Sequence, residues 1–163
     1  MHADGTEATR VSPEHHHAAT CPRCSTHHEV ETWTFVDARR HPHQRERILS
    51  HSINMFVCSV CTITVRVELP LLYVDTINGF SAFHVPSEAL SDTAWLRRFD
   101  TRGRLTEPLN VRTSAMGGMI VVDPHVVFSI AELVRYIEFR EALAMLRVDD
   151  RRDGDAEGRT GNA

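Results

Sequence analysis

Apolar and polar residues alternate strictly through residues 62–69 (TITVRVEL). A period of two is typical of a β-strand with one buried face. Two further segments, 29–36 (EVETWTFV) and 53–57 (INMFV), are rich in β-branched and aromatic residues. Such residues are enriched in strands, so we expect a strand in each of these segments as well.

Turn and helix signals separate and extend these strands. Residues 71–85 (LLYVDTINGFSAFHV) contain two apolar runs on either side of Asn78-Gly79. This dipeptide is favoured in tight hairpin turns, so two paired strands are predicted there. Between the earlier strands, 41–50 (HPHQRERILS) has a proline suited to a first helical turn, followed by helix-forming residues. The first half is therefore predicted to be mainly antiparallel β with one short inserted helix.

The second half contains two candidate helices and one or two short strands. Residues 87–99 (SEALSDTAWLRRF) are compatible with a helix that has Ser87 as N-cap, and GGMIVVDPHVVF (117–128) predicts strands broken at Pro124. Ser129 and Glu132 then form a capping box, in which each side chain satisfies an exposed backbone N–H group. A helix from this box to about Arg147 is predicted.

The predicted C-terminal helix has an unusually wide apolar surface. Two neighbouring stripes recur at helical spacing: Ile130, Leu133, Val134 and Ile137, and then Tyr136, Phe139, Leu143 and Leu146. We expect this helix to pack in the core of the monomer. The alternative is that part of helix 129–147 also contacts a second copy of the chain in a homodimer.

These patterns predict an α+β protein with four regions. Residues 1–19 and 149–163 lack apolar periodicity and are expected to be a disordered arm and a disordered charged tail. Residues 20–85 are expected to form the antiparallel β region. Residues 86–148 form a C-terminal part, β plus a long helix, that packs on it.

Composition restricts the partners and the compartment. The formal net charge of the chain is -4, without the basic excess of a dedicated nucleic-acid binder. The N-terminal residues have no apolar signal region, and no apolar run is long enough to cross a bilayer, so we expect a cytoplasmic protein without a membrane partner. In the cytoplasm thiols stay reduced, which disfavours structural disulfides.

The four cysteines are arranged as two Cys-x-x-Cys pairs, Cys21 with Cys24 and Cys58 with Cys61. A two-residue gap lets one turn of chain present both sulfurs to the same ion, and four thiolates form a closed tetrahedral shell around Zn²⁺. A redox Cys-x-x-Cys normally occurs once, at the start of a helix, whereas both pairs here are flanked by predicted strands. We therefore expect one structural zinc ion bound by all four cysteines.

The segments CPRC, EVETWTFV, INMFVCSVC and VELPLLYVD, in this order, resemble the CpXC family. The resemblance covers about residues 21–83 and implies a zinc-ribbon-like fold with the four cysteines as metal ligands. It also matches the block Pro70, Leu71, Leu72, Tyr73 and Asp75. The chain departs from the family pattern at Ser25 and Thr62, where glycine is common, and at Val74, where histidine is common.

The sequence favours binding over catalysis. Four cysteine ligands leave no open position for a water molecule, and no nucleophile elbow, phosphate loop or His-Glu-x-x-His motif is present. Tyr73 and Asp75 share one face of a predicted strand, for which a structural hydrogen bond is a sufficient role. We expect a binding module whose partner is another protein.

Two alternative functions remain open at this point. A nucleic-acid-binding regulator would use the arginine-rich segments 39–47 and 97–104. A zinc-containing hydrolase of unknown substrate is the third interpretation. The formal charges of residues 21–85 cancel, which disfavours the first of these alternatives.

Overall fold

The computed structural model describes residues 15–113 and 118–157. The rest of the predicted arm and tail, residues 1–14 and 158–163, lies outside the described residues. The strands in chain order are β1 (His15–Thr20), β2 (His27–Thr32), β3 (Phe35–Asp37), β4 (Met55–Val57), β5 (Thr64–Arg66), β6 (Leu71–Asp75), β7 (Phe80–His84), β8 (Leu109–Thr113), β9 (Gly118–Val122) and β10 (His125–Val127). The helices are α1 (Pro42–Leu49), α2 (Thr93–Leu96) and α3 (Ile130–Glu157), with a 3-10 helix at Ser87–Ser91.

A four-stranded mixed sheet organises the described residues, in the order β10-β7-β6-β3. Strands β6 and β7 form the hairpin predicted around Asn78-Gly79, and Gly79 has the positive φ of 66° that favours glycine in such a turn. Strands β3 and β10 join this hairpin in parallel, on β6 and β7 respectively. The fold is therefore α+β as predicted, but its central sheet is mixed because α1 lies in a crossover between β3 and β6.

Both faces of this sheet are covered, which explains why β6 is buried at every position. On one face, Leu71 and Tyr73 pack with residues of α1 and α3, including Leu133 and Ile137, which are both 0% exposed. Full burial of a leucine or isoleucine side chain contributes about 1.5–3 kcal/mol. The first apolar stripe of α3 therefore belongs to the monomer core, as the sequence predicted.

The opposite face is covered by the segment between β7 and β9. Leu72 and Phe83 point to this face, because alternate residues of a strand face opposite sides. Trp95 of α2 stacks on Phe83 with a centroid distance of 6.1 Å, and Phe99 and Leu105 add to the same cluster. The C-terminal region thus completes a core that begins in the first half of the chain.

The cysteine pairs lie in two separate antiparallel hairpins, β1-β2 and β4-β5. The first hairpin uses residues 15–20, five of which were expected to belong to a disordered arm. That part of the prediction is wrong because β1 is ordered by pairing with β2 over six residues, from His15↔Thr32 to Thr20↔His27. Its composition alone does not indicate this pairing.

Three other local predictions differ from the structure. The single strand predicted at 29–36 is divided into β2 and β3, with the break at Trp33 and Thr34. The helix predicted after Ser87 is a 3-10 turn without a side-chain cap. Helix α2 begins instead at Thr93, and its N-cap is Asp92, whose carboxylate accepts from the Ala94 N–H at 2.8 Å. Helix α3 continues to Glu157, past the predicted end at Arg147 and into the predicted tail.

The start of α3 confirms the predicted cap at Ser129. The Ser129 hydroxyl accepts from the N–H of Glu132 at 3.1 Å. The Glu132 carboxylate accepts from the N–H of Phe128 at 2.7 Å, one residue before the N-cap N–H that a standard capping box uses. Both side chains therefore accept hydrogen bonds from backbone N–H groups at the start of α3.

Candidate metal centre

Each cysteine pair lies in the turn of its hairpin. Cys21 follows the last residue of β1, and Cys58 follows the last residue of β4. In the first turn the Cys21 N–H donates to the carbonyl of Thr26, and the Ser25 N–H donates to the carbonyl of Cys21, each at 2.9 Å. This arrangement brings both sulfurs of a pair to one side of the turn.

The second turn repeats the same two hydrogen bonds. The Cys58 N–H donates to the carbonyl of Ile63 at 2.9 Å, and the Thr62 N–H donates to the carbonyl of Cys58 at 3.0 Å. The residue after each pair has a left-handed backbone, with φ of 58° at Ser25 and 59° at Thr62. Glycine adopts this conformation without steric cost, which explains why the CpXC pattern often has glycine at these two positions.

The two turns face each other and bring all four sulfurs together. The Sγ atoms of Cys21 and Cys61 are 3.5 Å apart, and so are those of Cys24 and Cys58. All four sulfurs lie within 4.8 Å of one another. A zinc ion with Zn–S distances of about 2.3 Å requires sulfurs about 3.8 Å apart in a tetrahedron, so the arrangement fits such an ion.

The same distances exclude disulfide bonds in this structure. A disulfide has an S–S bond of about 2.05 Å, and the four cysteines are free. Cys21 and Cys58 are fully buried, whereas Cys24 and Cys61 are partly exposed. The predicted sulfur cluster is therefore present, and it could hold one metal ion.

Backbone and side-chain donors point at the sulfurs. The N–H of Cys61 is the main cause that lowers the pKa of the Cys58 thiol to about 5, and the N–H of Val60 contributes to the same effect. The hydroxyl of Thr26, 3.2 Å from the sulfur of Cys24, lowers the pKa of that thiol. These donors favour thiolates, which are the form of cysteine that binds metals.

Cys61 shows the opposite shift. The N–H of Ile63 acts to lower the pKa of this thiol, but burial and the three neighbouring sulfurs outweigh it and raise the pKa to about 12. Four thiolates in contact repel one another, so the cluster does not become fully ionised by itself. A divalent cation removes this repulsion, which is why the donor set fits a metal ion better than four free thiols.

No histidine among the described residues belongs to this cluster as a potential metal ligand. Among the described residues, the four cysteines form the single group of three or more potential metal ligands. His28 lies beside Cys58, where it lowers the pKa of that thiol, and its ring contacts Phe56 with a centroid distance of 4.9 Å. Sequence reasoning did not single out Thr26, and it gave His28 no role because the histidines lack a metal-binding spacing, although both residues stand within a few residues of a ligand.

The second candidate cluster, Tyr73 with Asp75, has a structural explanation. Asp75 is 4% exposed and closes the β6-β7 turn, because its carboxylate accepts from the N–H groups of Ile77 and Asn78 at 3.0 and 2.9 Å. Tyr73 is 0% exposed, and burial raises the pKa of its hydroxyl, so this group does not supply a base. The two residues share a face as predicted, but no hydrogen bond joins them: Asp75 is bonded within the turn, and the ring of Tyr73 packs in the core while its hydroxyl has no hydrogen-bond partner among the described residues.

Several arginines of the two arginine-rich segments make internal contacts. Arg45 bonds Glu141 of α3 at 2.6 Å, and Arg47 donates to the carbonyl of Ser52 at 3.3 Å. In the second segment, Arg98 stacks over Trp95 at 4.7 Å, and Arg104 pairs with Asp100 at 3.4 Å. These contacts reduce the number of cations that remain available for a polyanion.

Comparison with known proteins agrees with the resemblance seen in the sequence. The family model described as CpXC protein matches residues 19–151, which is most of the chain. No curated protein and no solved structure gives a significant match. Within the described residues, none of the helices has the length and apolar composition needed to cross a membrane.

Proposed function

We propose that this chain, which belongs to the CpXC family, is a non-enzymatic binding module in which Cys21, Cys24, Cys58 and Cys61 hold one structural zinc ion. The observation that carries the proposal is the sulfur geometry, with two pairs of Sγ atoms at 3.5 Å and all four within 4.8 Å. The metal would join the β1-β2 hairpin to the β4-β5 hairpin. Both hairpins are short, and a two-stranded hairpin has little stability by itself.

A structural role fits this site better than a catalytic one. Catalytic zinc usually has three protein ligands and an open position for water, whereas four cysteines complete a tetrahedral shell. Tyr73 and Asp75, the other candidates for chemistry, are occupied by the core and by the β6-β7 turn. The hydrolase interpretation therefore has no support from a described group of side chains.

Metal analysis of the purified protein tests the proposal. We expect one zinc ion per chain, and we expect Cys58→Ser to lose the metal and to become sensitive to protease. Structural zinc contributes on the order of 10 kcal/mol of apparent binding free energy in small domains, so the loss should be large. The matched control is Ser59→Ala, an exposed position within the same turn, which should keep the metal.

Two results would reject this proposal. One is a Cys58→Ser protein that is free of metal yet has the melting temperature and protease resistance of the wild type. The other is a wild-type protein, purified without chelators, that contains no metal. Replacement of the native metal by Co²⁺ gives a third check, because a tetrahedral thiolate site has a characteristic absorption spectrum in this state.

We further propose that the partner of the module is another protein. A module with balanced charge gains little from counterion release, which dominates non-specific affinity for nucleic acids. Titration with duplex and single-stranded oligonucleotides at two salt concentrations tests this. Tight binding that is lost in the double variant Arg39→Glu, Arg40→Glu, two exposed arginines, would instead support a nucleic-acid function.

The exposed part of α3 is the surface we propose for self-association. Phe139 and Leu146 are 57% and 62% exposed, so the second apolar stripe is only partly covered by the monomer. Tyr136 does not belong to the free surface, because it stacks on His125 at 4.3 Å and contacts Phe80. The informative variants are therefore Phe139→Asp and Leu146→Asp.

Light scattering decides between the two roles of this stripe. A wild-type mass of two chains that falls to one chain in Phe139→Asp would support a homodimer. A wild-type mass of one chain would remove the homodimer from the proposal. Glu138→Gln, an exposed position beside the stripe, is the control that should leave the mass unchanged.

A further inference from the structure

A polar cleft of about 310 Å³ lies at the start of α3, away from the cysteines. Its lining includes Arg66, Glu68, His84, Glu88, Ile130 and Ala131. The cleft is therefore formed where β5, β7, the 3-10 helix and α3 meet. Its volume is at the lower end of the range for small-molecule sites, and it is larger than a single inorganic ion requires.

His84 gives this cleft an unsatisfied hydrogen-bonding group. The residue is 2% exposed, and its Nδ1 atom has no hydrogen-bond partner. A hydrogen bond with the backbone of Leu69 acts to raise the pKa of His84, so a ring N–H donates to the Leu69 carbonyl, and because Nδ1 has no partner this nitrogen is Nε2. In a neutral ring Nδ1 is then an acceptor, and burial, which lowers the pKa of His84, keeps the ring neutral.

The first turn of α3 provides donors to the same cleft. The N–H groups of Ile130 and Ala131 precede the intrahelical hydrogen bonds, and they have no partner among the described residues. The next N–H, that of Glu132, is already bonded to Ser129. Free N–H groups at the start of a long helix bind anionic oxygens, assisted by the positive end of the helix dipole.

The charged side chains of the cleft disfavour a simple anion. Glu68 and Glu88 are exposed, and both line the cleft. The guanidinium of Arg66 is directed to other groups, because it donates to the carbonyls of Ile53 and His51 and lies 3.8 Å from Glu68. A dianion such as sulfate would therefore meet two carboxylates with little compensation.

A ligand with both charges matches all of these groups. We propose that the cleft binds a free α-amino acid, whose carboxylate accepts from the N–H groups of Ile130 and Ala131 and whose ammonium group donates to Nδ1 of His84 and to Glu88. The ammonium supplies the donor that Nδ1 lacks, and it neutralises the acidic lining. The carboxylate oxygens match the two free N–H groups. This site is separate from the metal centre and goes beyond the proposed function.

Calorimetric titration of the metal-loaded protein with each common L-amino acid tests the proposal. We expect at least one to bind, and we expect its N-acetyl and carboxamide derivatives to bind at least about tenfold more weakly, since each lacks one of the two charges. Sodium acetate and methylammonium chloride, which carry one charge each, should also bind weakly.

Two variants test the assigned residues. His84→Gln removes the Nδ1 acceptor while its amide can still donate to Leu69, and it should weaken amino-acid binding at least about tenfold. Glu88→Gln changes an exposed residue without risk to the fold and should weaken binding in the same direction. Glu107→Gln, an exposed carboxylate outside the cleft, should bind as the wild type does.

The proposal is overturned if none of the amino acids binds, or if acetate or an N-acetyl derivative binds as tightly as the free amino acid. It is also overturned if Glu88→Gln binds with wild-type affinity. If His84→Gln does not fold, Glu88→Gln and the blocked derivatives still decide the outcome. Each of these results leaves the zinc content, and hence the proposed function, unaffected.

Discussion

Asn54, which lies just before β4, is bonded to Trp33 at the break between β2 and β3. Its replacement by alanine should strongly destabilise the protein. Its side chain bonds both backbone groups of Trp33, accepting from the N–H at 2.7 Å and donating to the carbonyl at 2.9 Å. Trp33 stands at the break between β2 of the cysteine hairpin and β3 of the central sheet. Asn54 is 4% exposed and has φ of 54°.

The expected magnitude follows from these three observations. Asn54→Ala leaves one donor and one acceptor of Trp33 without partners in a partly buried region, at about 1–3 kcal/mol each. Alanine in the left-handed region adds about 1–2 kcal/mol. The sum is roughly 3–8 kcal/mol, which is a large fraction of the 5–15 kcal/mol stability of a typical domain.

Urea unfolding of a short series of variants separates the two contributions. Asn54→Gly loses the same hydrogen bonds but tolerates the positive φ, so it should be about 1 kcal/mol less destabilising than alanine. Asn54→Asp keeps the acceptor for the Trp33 N–H and should lie between the wild type and glycine. A loss below about 1 kcal/mol for Asn54→Ala would refute the reasoning, because it would mean that water replaces both hydrogen bonds.

Three further predictions concern single elements of the fold. Ser129→Ala should lower the free energy of unfolding, measured in urea, by about 1 kcal/mol, whereas Ser129→Asp should not, since aspartate can also cap α3. Equal losses of stability in the two variants would contradict the capping role of Ser129. Gly79→Ala should lower the free energy of unfolding by about 1–2 kcal/mol, because φ at this position is positive. Backbone strain is the whole of this effect, since no atom lies within 4 Å of the added Cβ, and Gly79→Asn should lower the stability less. Burial lowers the pKa of His84 in the native state, so at mildly acidic pH the unfolded chain binds a proton that the native state does not. The free energy of unfolding should therefore fall as the pH decreases through about 6.5. His84→Gln should reduce this pH dependence, and an unchanged slope would contradict the assignment.

Features that depend on adjacent residues were predictable from the sequence. The hairpin at Asn78-Gly79 and the cap at Ser129 follow from rules that involve four or five neighbouring residues, and both are present. The sulfur cluster was also predictable, because each Cys-x-x-Cys forms its own turn and the strands around it bring the two turns together. These are local preferences that the tertiary structure preserves.

Features that depend on distant partners were not predictable. The break after β2 requires Asn54, whose bonds to Trp33 span 21 residues. The order of β1 results from pairing with β2, and the parallel position of β3 results from a crossover that the strand pattern does not indicate. In the sequence, His84 resembles any polar residue at the end of a strand. Its position in the cleft depends on the packing of β7, the 3-10 helix and α3, which the sequence pattern does not indicate.

The position of the cysteines along the chain has a consequence for metal binding and folding during synthesis. All four cysteines precede β6, β7 and α3, which supply most of the central core. Domains acquire structure as the chain leaves the ribosome, amino end first. The nascent chain therefore exposes a complete ligand set before β6, β7 and α3 have left the ribosome, and metal capture at this stage would close a loop in which Cys21 and Cys61 are 40 residues apart. Limited metal supply during translation should then lower the yield of folded protein more than removal of the metal after folding.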